Sequence, residues 1–230
     1  MIDGKRHSLV ATFVCLSSFL LSFACTGLPS KDAAQSEQSN QKSLTKCNVD
    51  TAEYNRLIAL DYNAFDGDVF GGWRAIDYQD GCNLAASDLI LDFIDLNQET
   101  RLNEGQVRML YWHAGQTRAY SDEKAALELF QRTYSPDPDS PWNLYVTGTI
   151  AFLNKDFETL QTARNTLAKV PVSEQEQKRR QAFLDENPNI TMPPGFVTEP
   201  SNLPALNALL NCFDEPYRVA YQSCSNDPPN

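Results

Sequence analysis

The chain has 230 residues, with 19 Lys and Arg against 30 Asp and Glu for a net charge of −11, and only two histidines. An acidic surface of this strength repels nucleic acid and anionic lipid headgroups, so neither is expected as a general partner. The length suits one sizeable core, and 10% aromatic residues are enough to fill it.

At the N-terminus, Lys5, Arg6 and His7 form a basic head before the apolar run LVATFVCLSSFLLSFA at 9–24. That run is shorter than the roughly 20 residues of an ordinary membrane span, so residues 1–24 read as a secretion signal. Ala24 precedes Cys25, and cleavage between them leaves cysteine first, as a bacterial lipoprotein requires. The site resembles a lipobox, although Ser22 and Phe23 stand where Leu and a small residue are usual. Ser22-Phe23-Ala24 also serves as an ordinary small-x-small cleavage site. Two outcomes stay open: a protein anchored to the outer membrane of a Gram-negative bacterium through lipid on Cys25, or one free in the periplasm. Without residues 1–24 the balance becomes 17 basic against 29 acidic residues, a net charge of −12. Residues 25–46, which include TGLPSKDAAQSEQSNQKSLTK, lack aromatics and an apolar stripe and predict a flexible tether.

Of six cysteines, Cys15 leaves with the signal and Cys25 is the lipid candidate, so Cys47, Cys82, Cys212 and Cys224 remain. Four cysteines in an oxidising compartment predict two disulfides with three possible connectivities. The local pairs Cys47–Cys82 and Cys212–Cys224 are favoured. No C-x-x-C spacing or neighbouring histidine points to a metal, and no cofactor is expected.

From Val49 to about Lys169 the apolar periodicity is helical. Tyr54, Leu57, Ile58 and Tyr62 share one face, as do Leu84, Ile90, Leu91 and Ile94. Strand alternation is absent, and SPDPDSP at 135–141 stops one helix and starts another. Leu110, Ala114, Ala126, Phe130 and Pro138 fall at the large, small, Ala, Phe and Pro positions of a helical-hairpin repeat of roughly 34 residues. Leu144 and Gly148 begin a partial copy, degraded at Leu160 and Arg164, while Phe70, Trp73, Ala86 and Ile90 form a weak one. The competing reading is an irregular helical bundle.

These positions resemble the tetratricopeptide-repeat family. The succession FGGWRA, GCNLAASDLI, YWHAGQTRA, WNLYVTGTIAFLNKD and NCFDEPYRVAYQSC, spanning about 60–224, also resembles a group of short, exported, functionally uncharacterised proteobacterial proteins. The family likeness implies an all-α fold of tetratricopeptide-like (TPR-like) hairpins, a short right-handed solenoid over 47–172. It also implies a concave surface lined by the first helix of each hairpin. The equivalent positions are Arg108, Tyr111, Arg118, Trp142 and Tyr145, with Phe152 and Tyr78 as possible additions. Arginines among aromatics suit a peptide, a carboxylate terminus or another anionic group. The alternative is that the arginines pair with Glu104, Asp122 or Glu123 and the aromatics are core.

In that register His113 takes a packing position facing into the hairpin, so a half-buried, hydrogen-bonded histidine is expected rather than a catalytic base. Asp66 and Asp68 flank Gly67 and can be drawn as a carboxylate pair, but a helix N-cap explains Asp68. No G-x-S-x-G or H-E-x-x-H motif is present.

Residues 173–230 read as a cap within the same domain. Ser173 and Glu176 have capping-box spacing at the start of a polar helix. NPNITMPPGFVTEPSNLP is predicted to run extended, and LPALNALLNCF and EPYRVAYQSC form short helices tied by Cys212 and Cys224. The sequence therefore predicts a non-catalytic cell-envelope scaffold that holds a protein or peptide partner. The alternatives are an acidic immunity-type protein that neutralises a basic toxin, and a hydrolase of envelope polymers.

Overall fold

The computed structural model describes residues 44–192 and 195–229, among which every regular element is helical and no strand occurs. The expected secretion signal, Cys25 and most of the expected tether lie outside the described residues. The tether ends earlier than the composition suggests. Leu44 to Lys46 are helical, and Leu44 is fully buried, because the nearby Cys47–Cys82 disulfide fixes this segment against the core.

Helix α1 (Thr51–Ile58) starts at Asp50, whose carboxylate accepts the Glu53 amide. A single π turn (Asn63–Gly67) and the short α2 (Arg74–Asp77) lead to α3 (Asn83–Asn97). Next, α4 (Glu104–Ala119) begins with a full capping box between Asn103 and Gln106, which satisfies two amides that the first turn leaves free. Asp122 and Asp156 cap α5 (Glu123–Gln131) and α7 (Phe157–Leu167), and Pro141 opens α6 (Pro141–Leu153), where its missing N–H costs nothing.

Neighbouring helices pack α3 on α4, α4 on α5 and α6 on α7. Small residues allow the close approaches. A Cβ on Gly115 would lie 3.0 Å from the Phe130 ring, and one on Gly148 would lie 2.7 Å from Leu206. The carbonyl of Ala114 accepts a hydrogen bond from buried Ser87 Oγ at 2.9 Å, which brings α3 against α4.

The last described elements are α8 (Glu174–Glu186), α9 (Leu203–Asn211) and α10 (Tyr217–Ser223). α9 packs on α6 and α7, and Leu206, Leu209 and Tyr217 are fully buried beneath the cap. Cys212 bonds Cys224 across it. Two structural disulfides fit an oxidising, non-cytoplasmic compartment. Among the described residues no helix is long and apolar enough to cross a membrane.

Two expectations for the cap change. Ser173 Oγ accepts the Glu176 amide at 3.2 Å, but Glu176 reaches Arg179 and Arg180. Residues 195–201 do not run extended: they turn around the Arg180 guanidinium, which the phenylalanine and glutamate carbonyls of that segment accept.

Candidate functional site

The five residues expected to line a groove are not brought into one open row. Tyr145 is only 2% exposed, packs its ring at a tilt 4.6 Å from the Trp112 ring and donates its hydroxyl to Tyr221. Burial pushes its phenol pKa well above the ordinary value. Trp142 lies 4.8 Å from the Trp112 ring and donates its indole N–H to the Thr133 carbonyl at 2.7 Å. Arg118 is held by Asp88 and donates Nε–H to Ser87 Oγ at 3.0 Å. Its partner is on α3, a helix away from the acidic residues expected on the surface. The aromatics here are core, because large rings placed one turn apart on α4 and α6 complete each other's apolar packing.

Arg108 and Tyr111 remain nearer to solvent. Arg108 lies 3.9 Å from Glu104 and lines a shallow depression with Glu99, Arg132 and Tyr134. Tyr111 Oη accepts from Arg132 at 3.0 Å. Of the added candidates, Phe152 is fully buried and Tyr78 is open.

The most elaborate polar construction lies elsewhere, around Asp66. This carboxylate is 5% exposed, and its Oδ1 is 2.7 Å from His113 Nδ1 and accepts the Trp73 indole N–H at 2.9 Å. Arg74 donates to the Asp66 carbonyl, stands 3.8 Å from the carboxylate and lies 4.1 Å over the Trp73 ring. Burial raises the Asp66 pKa, yet the hydrogen bond and charge of His113, with Trp73 and Tyr62, outweigh it and leave the group below its ordinary value. Burial beside Asp66 raises the Tyr62 phenol. His113 is indeed partly buried and hydrogen-bonded, but it faces the π turn rather than α5. Asp66 and Asp68 do not pair. Asp68 Oδ1 accepts the Phe70 amide at 2.9 Å in a tight turn and caps no helix.

That construction holds the loop after it in one shape. Phe65 is buried and stacks face to face on Phe93 with ring centroids 3.7 Å apart. Gly72 has φ +53°, and a Cβ there would sit 2.0 Å from the Phe65 carbonyl oxygen. Only glycine fits. Between these fixed points the chain carries Val69 and Phe70 outward, 57% and 83% exposed, and Tyr78, 66% exposed, donates its hydroxyl to the Val69 carbonyl at 3.0 Å. Exposed carboxylates at Asp61, Asp68 and Asp80 stand around them in the chain.

Sequence reasoning missed both the Asp66–His113 contact and the open triad. The pair is 47 residues apart, and no local spacing signals it. FGGW did carry a cue, since a double glycine next to a large aromatic marks a sharp turn. Among the described residues no group of three or more His, Cys, Asp or Glu side chains is placed to hold a metal ion. No protein-family model, curated protein or solved structure matches this chain.

Proposed function

We propose that this is an exported, non-catalytic binding scaffold of TPR-like hairpins that holds a protein or peptide partner at the Val69–Phe70–Tyr78 surface rather than along the expected row. One observation carries the reading: a phenylalanine 83% exposed at the tip of a loop whose base is over-determined by Gly72, Asp66 and Trp73. Exposing a large ring is unfavourable by about 2 kcal/mol relative to burying it. A rigid aromatic anchor also loses little entropy on binding, which is why such residues dominate interface energetics.

The rim favours a basic partner. Asp61, Asp68 and Asp80 are exposed and lie near the apolar triad in the chain, and the chain as a whole carries −11. Such a partner would associate quickly at low salt and more slowly as salt screens the field. An immunity-type neutraliser of a basic toxin is a special case of the same surface. Export of the chain, and a lipid on Cys25, place this surface in the cell envelope within the proposal.

The test is crosslinked co-purification from the native organism, comparing wild type with Phe70→Ser and Arg108→Ala. A stoichiometric partner that is lost with Phe70→Ser and kept with Arg108→Ala supports the surface. Loss with Arg108→Ala alone returns the site to the depression on α4, and a partner indifferent to both substitutions sinks the reading.

A further inference from the structure

A second built feature lies between α8 and the segment after it, far along the chain from the Phe70 loop. The cleft there measures about 660 Å³, within the roughly 300–1,000 Å³ of small-molecule sites. Phe183, Met192, Phe196, Pro200 and Pro204 give it apolar walls. α8 is mostly polar and is attached through one buried polar side chain and the contact of the Phe183 ring with Phe196. Arg180 is 9% exposed and donates to Glu176 Oε1 at 2.7 Å, to the carbonyls of Phe196 and Glu199 at 2.8 and 2.7 Å, and to Ser201 Oγ at 2.8 Å. The turn cannot leave the helix without stranding a buried guanidinium, so the cleft is formed in advance of any occupant.

Its charge is specific. Three carboxylates, Glu176, Glu186 and Glu199, face two guanidinium groups, Arg179 and Arg180. Glu176 engages both, and first Arg179, then Arg180, hold its carboxyl down at about 2. Among the described residues Glu186 and Glu199 form no ion pair. Gly195, at φ +82°, lets the Glu199 side chain lie where a Cβ would be 2.3 Å from its Cδ. An anion entering this cleft meets carboxylates whose counter-charges are absent, and its own natural partners, the two arginines, are already taken.

We propose that the cleft binds a small aromatic cation, its ring against Phe183 and Phe196 and its ammonium or guanidinium group toward Glu186 and Glu199. Ring contact supplies apolar burial, and the carboxylates supply the selection for charge. This site is independent of the partner surface at Phe70.

The test is fluorescence titration of the purified protein with 9-aminoacridine, an aromatic cation, and with anilinonaphthalene sulfonate, an aromatic anion. Saturable one-to-one binding of the cation is expected, with the anion bound at least about tenfold more weakly. Phe183 is partly exposed, so Phe183→Ala should keep the helical circular dichroism and still weaken the cation about tenfold. Glu199→Gln should narrow the gap between cation and anion. Equal binding of the two dyes, no saturable binding of the cation, or cation binding unmoved by Phe183→Ala would each overturn the proposal.

Discussion

The two halves of the interior are built from different materials. The first core, around Leu57, Phe65, Ile90 and Phe93, is threaded with polar side chains: Asp66, Asn83, Ser87 and Asn97 are all buried within it. The second, around Trp112, Phe130, Tyr145, Phe152 and Tyr217, is dominated by neighbouring aromatic rings, with Thr117, Thr149 and Asn207 buried on the same helices. Helix α4 belongs to both, giving Leu110 and Ala114 to the first and Trp112 and Ala119 to the second. Apolar packing alone stabilises a core but tolerates several arrangements, whereas a satisfied polar network admits one. The half that carries the exposed triad holds a buried carboxylate, Asp66, bonded to His113 and Trp73, whereas the polar groups buried on α4, α6 and α9 beside the rings, Thr117, Thr149 and Asn207, are uncharged.

The largest effect should come from the aromatic side. Trp112→Ala removes the ring that touches Phe130, Trp142 and Tyr145, and should cost about 4 kcal/mol in equilibrium unfolding. Because α4 is shared, the loss should shift one cooperative transition; a biphasic curve would show that the two cores unfold separately.

A middle effect is expected from the polar side. Asp66→Asn keeps the shape but removes the charge that faces His113 and Arg74, and should cost about 2 kcal/mol near neutral pH. The folded Asp66 has a pKa below its ordinary 3.8, so its contribution is complete above that value and is lost as pH falls through the folded value. Wild type and variant should therefore converge in urea midpoint as the pH drops below about 4. A gap that stays constant with pH would mean the charge is not what stabilises the loop.

The smallest effect should be a gain. Thr149 Oγ1 is buried on α6 with no hydrogen-bond partner among the described residues. Thr149→Val removes that hydroxyl at nearly constant volume and should raise stability by about 1 kcal/mol, read as a higher urea midpoint. No change would indicate that a water or a small shift already satisfies the group.

Much of the helical plan was legible because it is written locally. The 3.6-residue periodicity, the cap at Ser173 and the breaker at 135–141 each depend on residues a few positions apart. The disulfide pairs were favoured by locality too, and the structure joins the same cysteines. What could not be read was which face of a helix meets which neighbour. Trp142 and Tyr145 have the composition of an interface, and only tertiary packing against Trp112 turns them inward. Arg180 looked like one more charge on a polar helix. Its burial depends on a turn that starts fifteen residues later, where a glycine adopts φ +82°.

Gly72 has a consequence for how such a chain can change over generations. With its Cβ position occupied by the Phe65 carbonyl, this site accepts almost no replacement, and beside it Phe65 stacks on Phe93 while Asp66 accepts the Trp73 indole N–H. Val69 and Phe70, a few positions away, bury little and bond only through backbone that any residue supplies. Mutational drift therefore finds a locked frame with a permissive tip. New side chains can be sampled at 69 and 70 at little cost to folding, so under the proposed function recognition can diversify while the fold stays the same.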